Sequence, residues 1–518
     1  MTAPTGNHPD HDDDGSAILE TSLSGIWYDL TQLSSAASPA APGMLKYLQE
    51  KQLTITDFIG IIVSGQSDQS VDLACKCIAI VCKVLGLANM DESGLISDGL
   101  SHPVTRVQSL VLDLLADPST STEVMLSSRA IHYANYSLLS SPSLDVAQSV
   151  INLLTLTATT SPETFFSPET VSEFHYFLTP SHSNASSQTA QIRTADLLIT
   201  IASKSEASFT AVETSGLLNP IAKEPLESKD VMTRLTGIEL LTSLIRATHG
   251  LTFLEKSGVL TKMSEFVKAT DDDVDTVLTR VAAIGFYAKL VVVLKEAVGV
   301  LETGYGFCEA ICFALMQSWD GERHVSTQVR DACLVAVGNI GGSRVGLSLL
   351  VARYPGCLVG IVETGLRGTG AYKVVAVQSL SCILDNDDWE RDDVSGWCER
   401  LFFQELGGMD KGILPLIKSF DEEVRIAGYA CLKGVAKYSW GLNALRESGQ
   451  MIAFLLDRAT ESTQICRKWR YSVIETILSR GDASKQALQE VIYNRFVKYV
   501  KEGPFYAEAQ PQVMMASF

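Results

Sequence analysis

VMTRLTGIELLTSLIRATHGLTFLEKSGVLTKMSEFVK, residues 231–268, is the stretch from which the rest of the chain can be read. Leu240, Leu241 and Leu244 fall at helical spacing and share one apolar face. Gly250 interrupts that pattern where a helix C-cap glycine is expected. Leu251 and Leu254 open a short second helix, Ser257 and Gly258 end it, and a third begins at Val259. An apolar stripe this narrow does not fold by itself. It requires neighbours of its own kind, and the sequence supplies them.

Counted from Arg234, Gly250 stands at +16, Leu254 at +20 and Gly258 at +24. Counted from Arg425, Gly441, Leu445 and Gly449 hold the same offsets, and HGLTFLEKSG matches WGLNALRESG. From Arg330, Gly346 and Leu350 recur, with Tyr354 in place of the last glycine. Position +10 is apolar each time: Leu244, Ile340 and Val435. A looser copy runs from Arg193 through Leu197 and Leu198 to TSGLL at 214–218. Weaker anchors sit near Arg106, Ala147, Arg280, Val374 and Arg470. Successive anchors lie roughly 41 to 52 residues apart, the span of armadillo and HEAT repeats.

The expected fold is therefore all-α: an armadillo/HEAT-like α-solenoid, a curved superhelix of stacked helical repeats. Residues 1–16 are expected to be a disordered acidic tail. Residues 17–500 should form a single solenoid of about ten repeats, and 501–518 a C-terminal tail. Within each repeat the order resembles armadillo repeats: a long helix, a glycine turn, a short helix, then a restart. In that family the long helix lines the concave face. The resemblance places Glu239 and Ser243, Gly285 and Lys289, Val335 and Asn339, and Ala430 and Gly434 there, at +5 and +9 from their arginines. Glu239, Ser243, Lys289 and Asn339 are the expected partner-binding residues. Nuclear-import adaptors of this fold carry a Trp/Asn ladder on those helices. Here only Asn339 holds an Asn position and no Trp position is filled, which disfavours that activity.

The chain of 518 residues is 46% hydrophobic, enough for a large core, and carries a formal charge of −19 from 41 basic and 60 acidic residues. That charge repels phosphate backbones, so no nucleic-acid partner is expected. It suits basic protein partners, or serves solubility. The 11 cysteines lie mostly in apolar helical text with no CxxC pair. Free thiols in a reducing compartment account for them better than zinc or disulfides. MTAPTGNHPDHDDDG has no signal-peptide pattern. Lys289 and Lys295 interrupt the most apolar run, so no membrane partner is expected. A cytoplasmic monomer follows, with the nucleus as a second compartment.

TDDDVD at 270–275 reads as the cap of the next helix. DNDDWERDD at 385–393 reads as a long acidic surface loop, with a basic-partner contact as the alternative. DPSTST (117–122), TATTSPET (157–164) and TPSHSNASSQ (179–188) read as turns between helices. Catalytic patterns are missing. GLRGTGAYK at 365–373 is not a P-loop, and neither HExxH nor GxSxG occurs. The eight histidines are scattered without metal-ligand spacing. The expectation is a scaffold, not an enzyme, with no cofactor and no metal.

IELLTSLIRATHGLTFLEKSGVL, residues 238–260, is similar to the middle of the proteasome non-ATPase regulatory subunit 5 family. That family carries a Glu-apolar-x-Thr-Ser-Leu helix, a His-Gly turn and a Gly-Val-Ile restart. RFVKYVKEGPFY, residues 495–506, resembles its closing EGP-aromatic-Tyr tail through Glu502, Gly503, Pro504, Phe505 and Tyr506. The resemblance implies an assembly chaperone of the proteasome regulatory-particle base. Such a protein binds the C-terminal domain of one base ATPase subunit, holds the base assembly intermediate, and blocks premature docking onto the proteolytic core. The competing reading is a generic armadillo-type adaptor or scaffold for transport, signalling or heat-shock chaperone exchange.

Overall fold

The computed structural model describes residues 13–35, 40–64, 67–85, 99–116, 139–179, 185–246, 248–320 and 325–506. No strand occurs among the described residues. Contacts divide the chain into two compact units, Met1–Ile221 and Ala222–Phe518. Of the tail expected at 1–16, residues 13–16 form the first turn of a helix, and 1–12 lie outside the described residues. So do 117–122, 180–184 within the third Ser/Thr-rich loop, and 507–518 of the expected C-terminal tail.

In the first unit five long helices pack each on the next: α1 (Asp13–Ser35), α2 (Asp68–Leu85), α3 (Thr105–Ala116), α4 (Leu144–Thr160) and α5 (Ala185–Lys204). Shorter helices such as Ile55–Ser64 and Pro168–Leu178 pack against them. Leu153 and Leu154 of α4 and Leu197 and Leu198 of α5 are buried in the core of this unit.

The second unit continues the pattern with α6 (Val231–Ser243), α7 (Val274–Val293), α8 (Thr327–Gly341), α9 (Gly370–Leu384), α10 (Glu422–Val435) and α11 (Gln464–Ser479). Each again packs on the next. Two shorter helices separate successive long ones, for example Thr248–Lys256 with Val259–Lys268 and Arg344–Arg353 with Pro355–Arg367. The first short helices stack on one another, as Val298–Tyr305 does on Arg344–Arg353, and the second ones likewise, as Val259–Lys268 does on Phe307–Asp320. Three columns of helices in this order are the armadillo arrangement, so the all-α repeat fold stands.

The starts of the long helices explain the arginine anchors. Asp230, Asp273, Ser326, Asp421 and Thr463 are N-caps whose side chains accept from the first-turn N–H groups. Four residues after the cap of α6, Arg234 donates from Nη1 to the Ser228 carbonyl at 2.7 Å. Arg425 of α10 does the same to Ser419 at 3.0 Å, and Arg467 of α11 donates Nε to Glu461 O at 2.8 Å. Arg330 of α8 lies 3.6 Å from the Tyr372 ring centroid in α9. The anchor role thus falls to Arg467 rather than Arg470, and to Lys373, whose Nζ donates to Leu366 O at 3.3 Å, rather than Val374. In α7 the cation sits a turn later: Arg280 donates to Val267 O at 3.0 Å. Apart from Arg330, each satisfies a carbonyl of the preceding helix or loop.

Gly250, Gly346 and Gly441 are not helix C-caps, as the sequence suggested. They lie inside the first short helices. A Cβ on them would stand 2.0, 1.9 and 2.0 Å from the carbonyl oxygens of Leu244, Ile340 and Val435. The +10 apolar residue and the +16 glycine are two sides of one contact, where the long helix ends directly over the short one.

By length and composition, α7 is the one straight described helix suited to crossing a membrane, despite Lys289. Packing between α6 and α8 accounts for that apolar character. Ala283, Ile284, Phe286 and Tyr287 are buried, and Tyr287 stacks on Phe307 with ring centroids 4.7 Å apart.

Candidate partner-binding face

The second unit offers the exposed flank of its long helices, the side not covered by the short ones. Glu239 and Ser243 sit there one turn apart on α6, and Lys289 on α7, all three exposed. Asn339 of α8 is only half-buried, and its Nδ2 donates to Ala288 O at 3.3 Å. It therefore ties α8 to α7 beside Lys289 and leaves its carbonyl oxygen for a partner. Ala430 is half-buried on α10. Gly434 does not belong to the face: it is buried, and a Cβ there would meet the Asp385 backbone nitrogen at 2.8 Å.

Around these residues the flank is apolar. Val292 is 49% exposed and Val335 43%. Met232 and Leu278 are exposed as well, and Gly285 leaves open space where a side chain would stand. Val292, one turn beyond Lys289, escaped the sequence reading because only the +5 and +9 positions were carried over. Its signal was the helical period itself. With Glu239 and Lys289 of opposite sign, the flank is mixed in character rather than acidic. Buried apolar area and a few oriented polar groups are what such a face offers a protein partner.

Three carboxylates of the acidic run 385–393 are engaged within the chain. Asp385 pairs with Lys437 at 2.6 Å and Asp393 with Arg344 at 2.8 Å. Asp387 pairs with Lys295. The Arg344 guanidinium holds the Asp393 carboxyl below its ordinary value. Buried Asn386 donates to Gly341 O at 2.9 Å, and the Arg480 guanidinium lies 4.3 Å from the Trp389 ring centroid. The loop straps the repeats on either side of it.

The closing EGPFY text also has a visible task. Arg458 donates to Gly503 O at 2.7 Å and Tyr499 O at 3.0 Å, and pairs with Glu502 at 3.2 Å. Its guanidinium lies 3.8 Å from the Tyr499 ring centroid and 5.3 Å from that of Tyr506. One arginine thus folds the end of the described chain back onto the last repeat.

A groove of about 770 Å³ runs along α2, α3 and α4 in the first unit. Several of its charges are met locally: Asp72 pairs with Lys76 at 2.6 Å and Arg106 at 3.4 Å, and Asp113 accepts from Ser149 at 2.9 Å. Most cysteines are buried; Cys75 is half-buried and Cys382 exposed. Burial pushes the Cys77 and Cys333 thiols up to about 12 and Cys398 to about 11, which leaves them without thiolate character at neutral pH. Among the described residues no group of three His, Cys, Asp or Glu side chains is placed to hold a metal ion.

The family described as proteasome non-ATPase 26S subunit matches residues 22–517. The 26S proteasome non-ATPase regulatory subunit 5 of Drosophila melanogaster is 23% identical over 463 residues, covering 86% of this chain and 85% of its own. That of Mus musculus is 22% identical over 428 residues, covering 79% and 80%. A designed armadillo repeat protein in complex with the peptide (KR)4 overlays 50% of this chain and 99% of its own, at 16% identity and a TM-score of 0.37.

Proposed function

This chain belongs to the proteasome non-ATPase 26S subunit family, and we propose that it is an assembly chaperone of the proteasome regulatory-particle base. It binds the C-terminal domain of one base ATPase subunit within an assembly intermediate. The observation that carries the reading, beside the family, is the uncovered flank of α6 to α8, where Glu239, Lys289, Val292 and Val335 are exposed together. The mechanism is steric. A protein of 518 residues seated on an ATPase C-terminal domain blocks its docking onto the proteolytic core until neighbouring subunits displace it. No chemistry is asked of the chain, which acts as a scaffold without cofactor in the cytoplasm and nucleus.

The test is recovery of the tagged protein from cell extract followed by mass spectrometry. Base ATPases and their scaffold subunit, without the proteolytic core, are the expected companions. Transport receptors or heat-shock chaperones in their place would move the protein to the generic adaptors.

A further inference from the structure

The last helix of the second unit, Glu490–Glu502, and the loop before α11 enclose a groove of about 680 Å³. Four cations line it, Arg458, Arg467, Arg495 and Lys498, against two carboxylates, Asp457 and Glu502. The carboxylates are already engaged. Glu502 pairs with Arg458 at 3.2 Å and Lys498 at 3.7 Å, and Asp457 accepts from the Ala459 N–H at 2.9 Å. Arg495 is exposed and makes no ion pair among the described residues. A surplus of positive charge therefore remains in a chain whose net charge is −19.

The corresponding groove beside α7, about 340 Å³, has no such surplus. There Lys268 and Arg280 face Asp272 and Glu309, and both cations are spent on backbone carbonyls, Tyr305 O at 2.6 Å and Val267 O at 3.0 Å. The same place in the repeat is electrically balanced there, so the fold alone does not demand the charge.

We propose that the groove beside Arg495 and Lys498 takes an acidic, extended stretch of a partner protein. The Arg495 fork can bind a carboxylate in paired geometry, and the exposed Tyr506 ring supplies a flat apolar wall for a neighbouring side chain. A long polyanion is a poor occupant, because the acidic remainder of the chain repels what extends beyond the groove. The site goes beyond the assembly reading and does not depend on it.

Fluorescence anisotropy of a labelled octaglutamate peptide with the full-length chain at low salt tests it. Saturable binding is expected, weakened about ten-fold or more in Arg495→Glu/Lys498→Glu. Arg495→Gln/Lys498→Gln, which removes the cations without adding acid, is expected to give a smaller loss. Lys46→Glu, an exposed cation of the first unit outside both the groove and the long-helix flank, is expected to bind as the unsubstituted chain does. Absence of saturable binding, equal affinity in Arg495→Glu/Lys498→Glu, or tighter binding of a labelled oligothymidylate would each overturn the proposal.

Discussion

Gly441 lies under the end of α10 so closely that a Cβ on it would stand 2.0 Å from the Val435 carbonyl oxygen. Backbone, not a flexible side chain, would be displaced. Gly441→Ala is therefore expected to destabilise the second unit by about 3 kcal/mol or more. Gly285→Ala, where nothing lies within 4 Å, should instead stabilise α7 by about 0.5–1 kcal/mol. Urea unfolding of the two variants checks both signs.

Glu461 and Arg470 are buried to 2% and 1% exposure, and share a network with Tyr429 and Arg425. The Tyr429 hydroxyl donates to Glu461 at 2.7 Å, Arg425 Nε stands 3.4 Å away, and Arg470 Nη2 donates to Thr460 at 2.6 Å. Arg470→Met removes one of the two cations beside the buried Glu461 carboxylate and the donors to Thr460 and Asp457 O. A loss of about 3–5 kcal/mol is expected, and pairing it with Glu461→Gln should recover part of the loss in a double-mutant cycle.

Glu239→Lys combined with Lys289→Glu should weaken binding of the proposed partner, an ATPase C-terminal domain, without shifting the melting curve, since both side chains are exposed. Val292→Asp with Val335→Asp should weaken it by about ten-fold or more, through loss of apolar contact. An isothermal titration with unchanged affinity in both double variants would remove this flank as the partner site.

The N-caps make stability depend on acid. The Thr233 hydroxyl and N–H hold the Asp230 carboxyl below its ordinary value, and Thr276 does the same for Asp273. A depressed folded value means that the contribution is complete above the ordinary carboxylate range and is lost as pH falls through the folded values. Asp230→Asn/Asp273→Asn keeps a capping oxygen but does not titrate. The advantage of the unsubstituted chain over this variant in urea should shrink on acidification from about pH 5. A constant difference down to pH 2 would contradict it.

Arg458→Lys keeps the charge but loses the planar contact with Tyr499 and the fork that reaches Gly503. Faster amide exchange in residues 499–506, with little change elsewhere, is the expected result by mass spectrometry.

The repeat was legible because its signals are local. An arginine four residues past a cap and a glycine six past an apolar helix end recur in α6, α8 and α10, where backbone geometry demands the glycine. Their reasons were not legible. Gly250 reads as a C-cap in one dimension, since only the path of the chain brings Leu244 O over it. Arg467 and Arg470 compete for one role in the text, and the carbonyl of Glu461 decides between them. The acidic run 385–393 looked like free charge because its partners, Lys295, Arg344 and Lys437, are remote in sequence. On the candidate face, helical offsets found Glu239, Ser243 and Lys289. They could not show that Gly434 is buried or that Asn339 is half spent on Ala288.

A stack of repeats that touch only their neighbours can fray from either end, one layer at a time. The strap at 385–393 alters that behaviour. Its contacts reach back to Lys295 and forward to Arg480, past the adjacent layers on both sides. Opening any layer between them breaks contacts in the others, so this segment should come apart as one cooperative block while the flanking helices open independently.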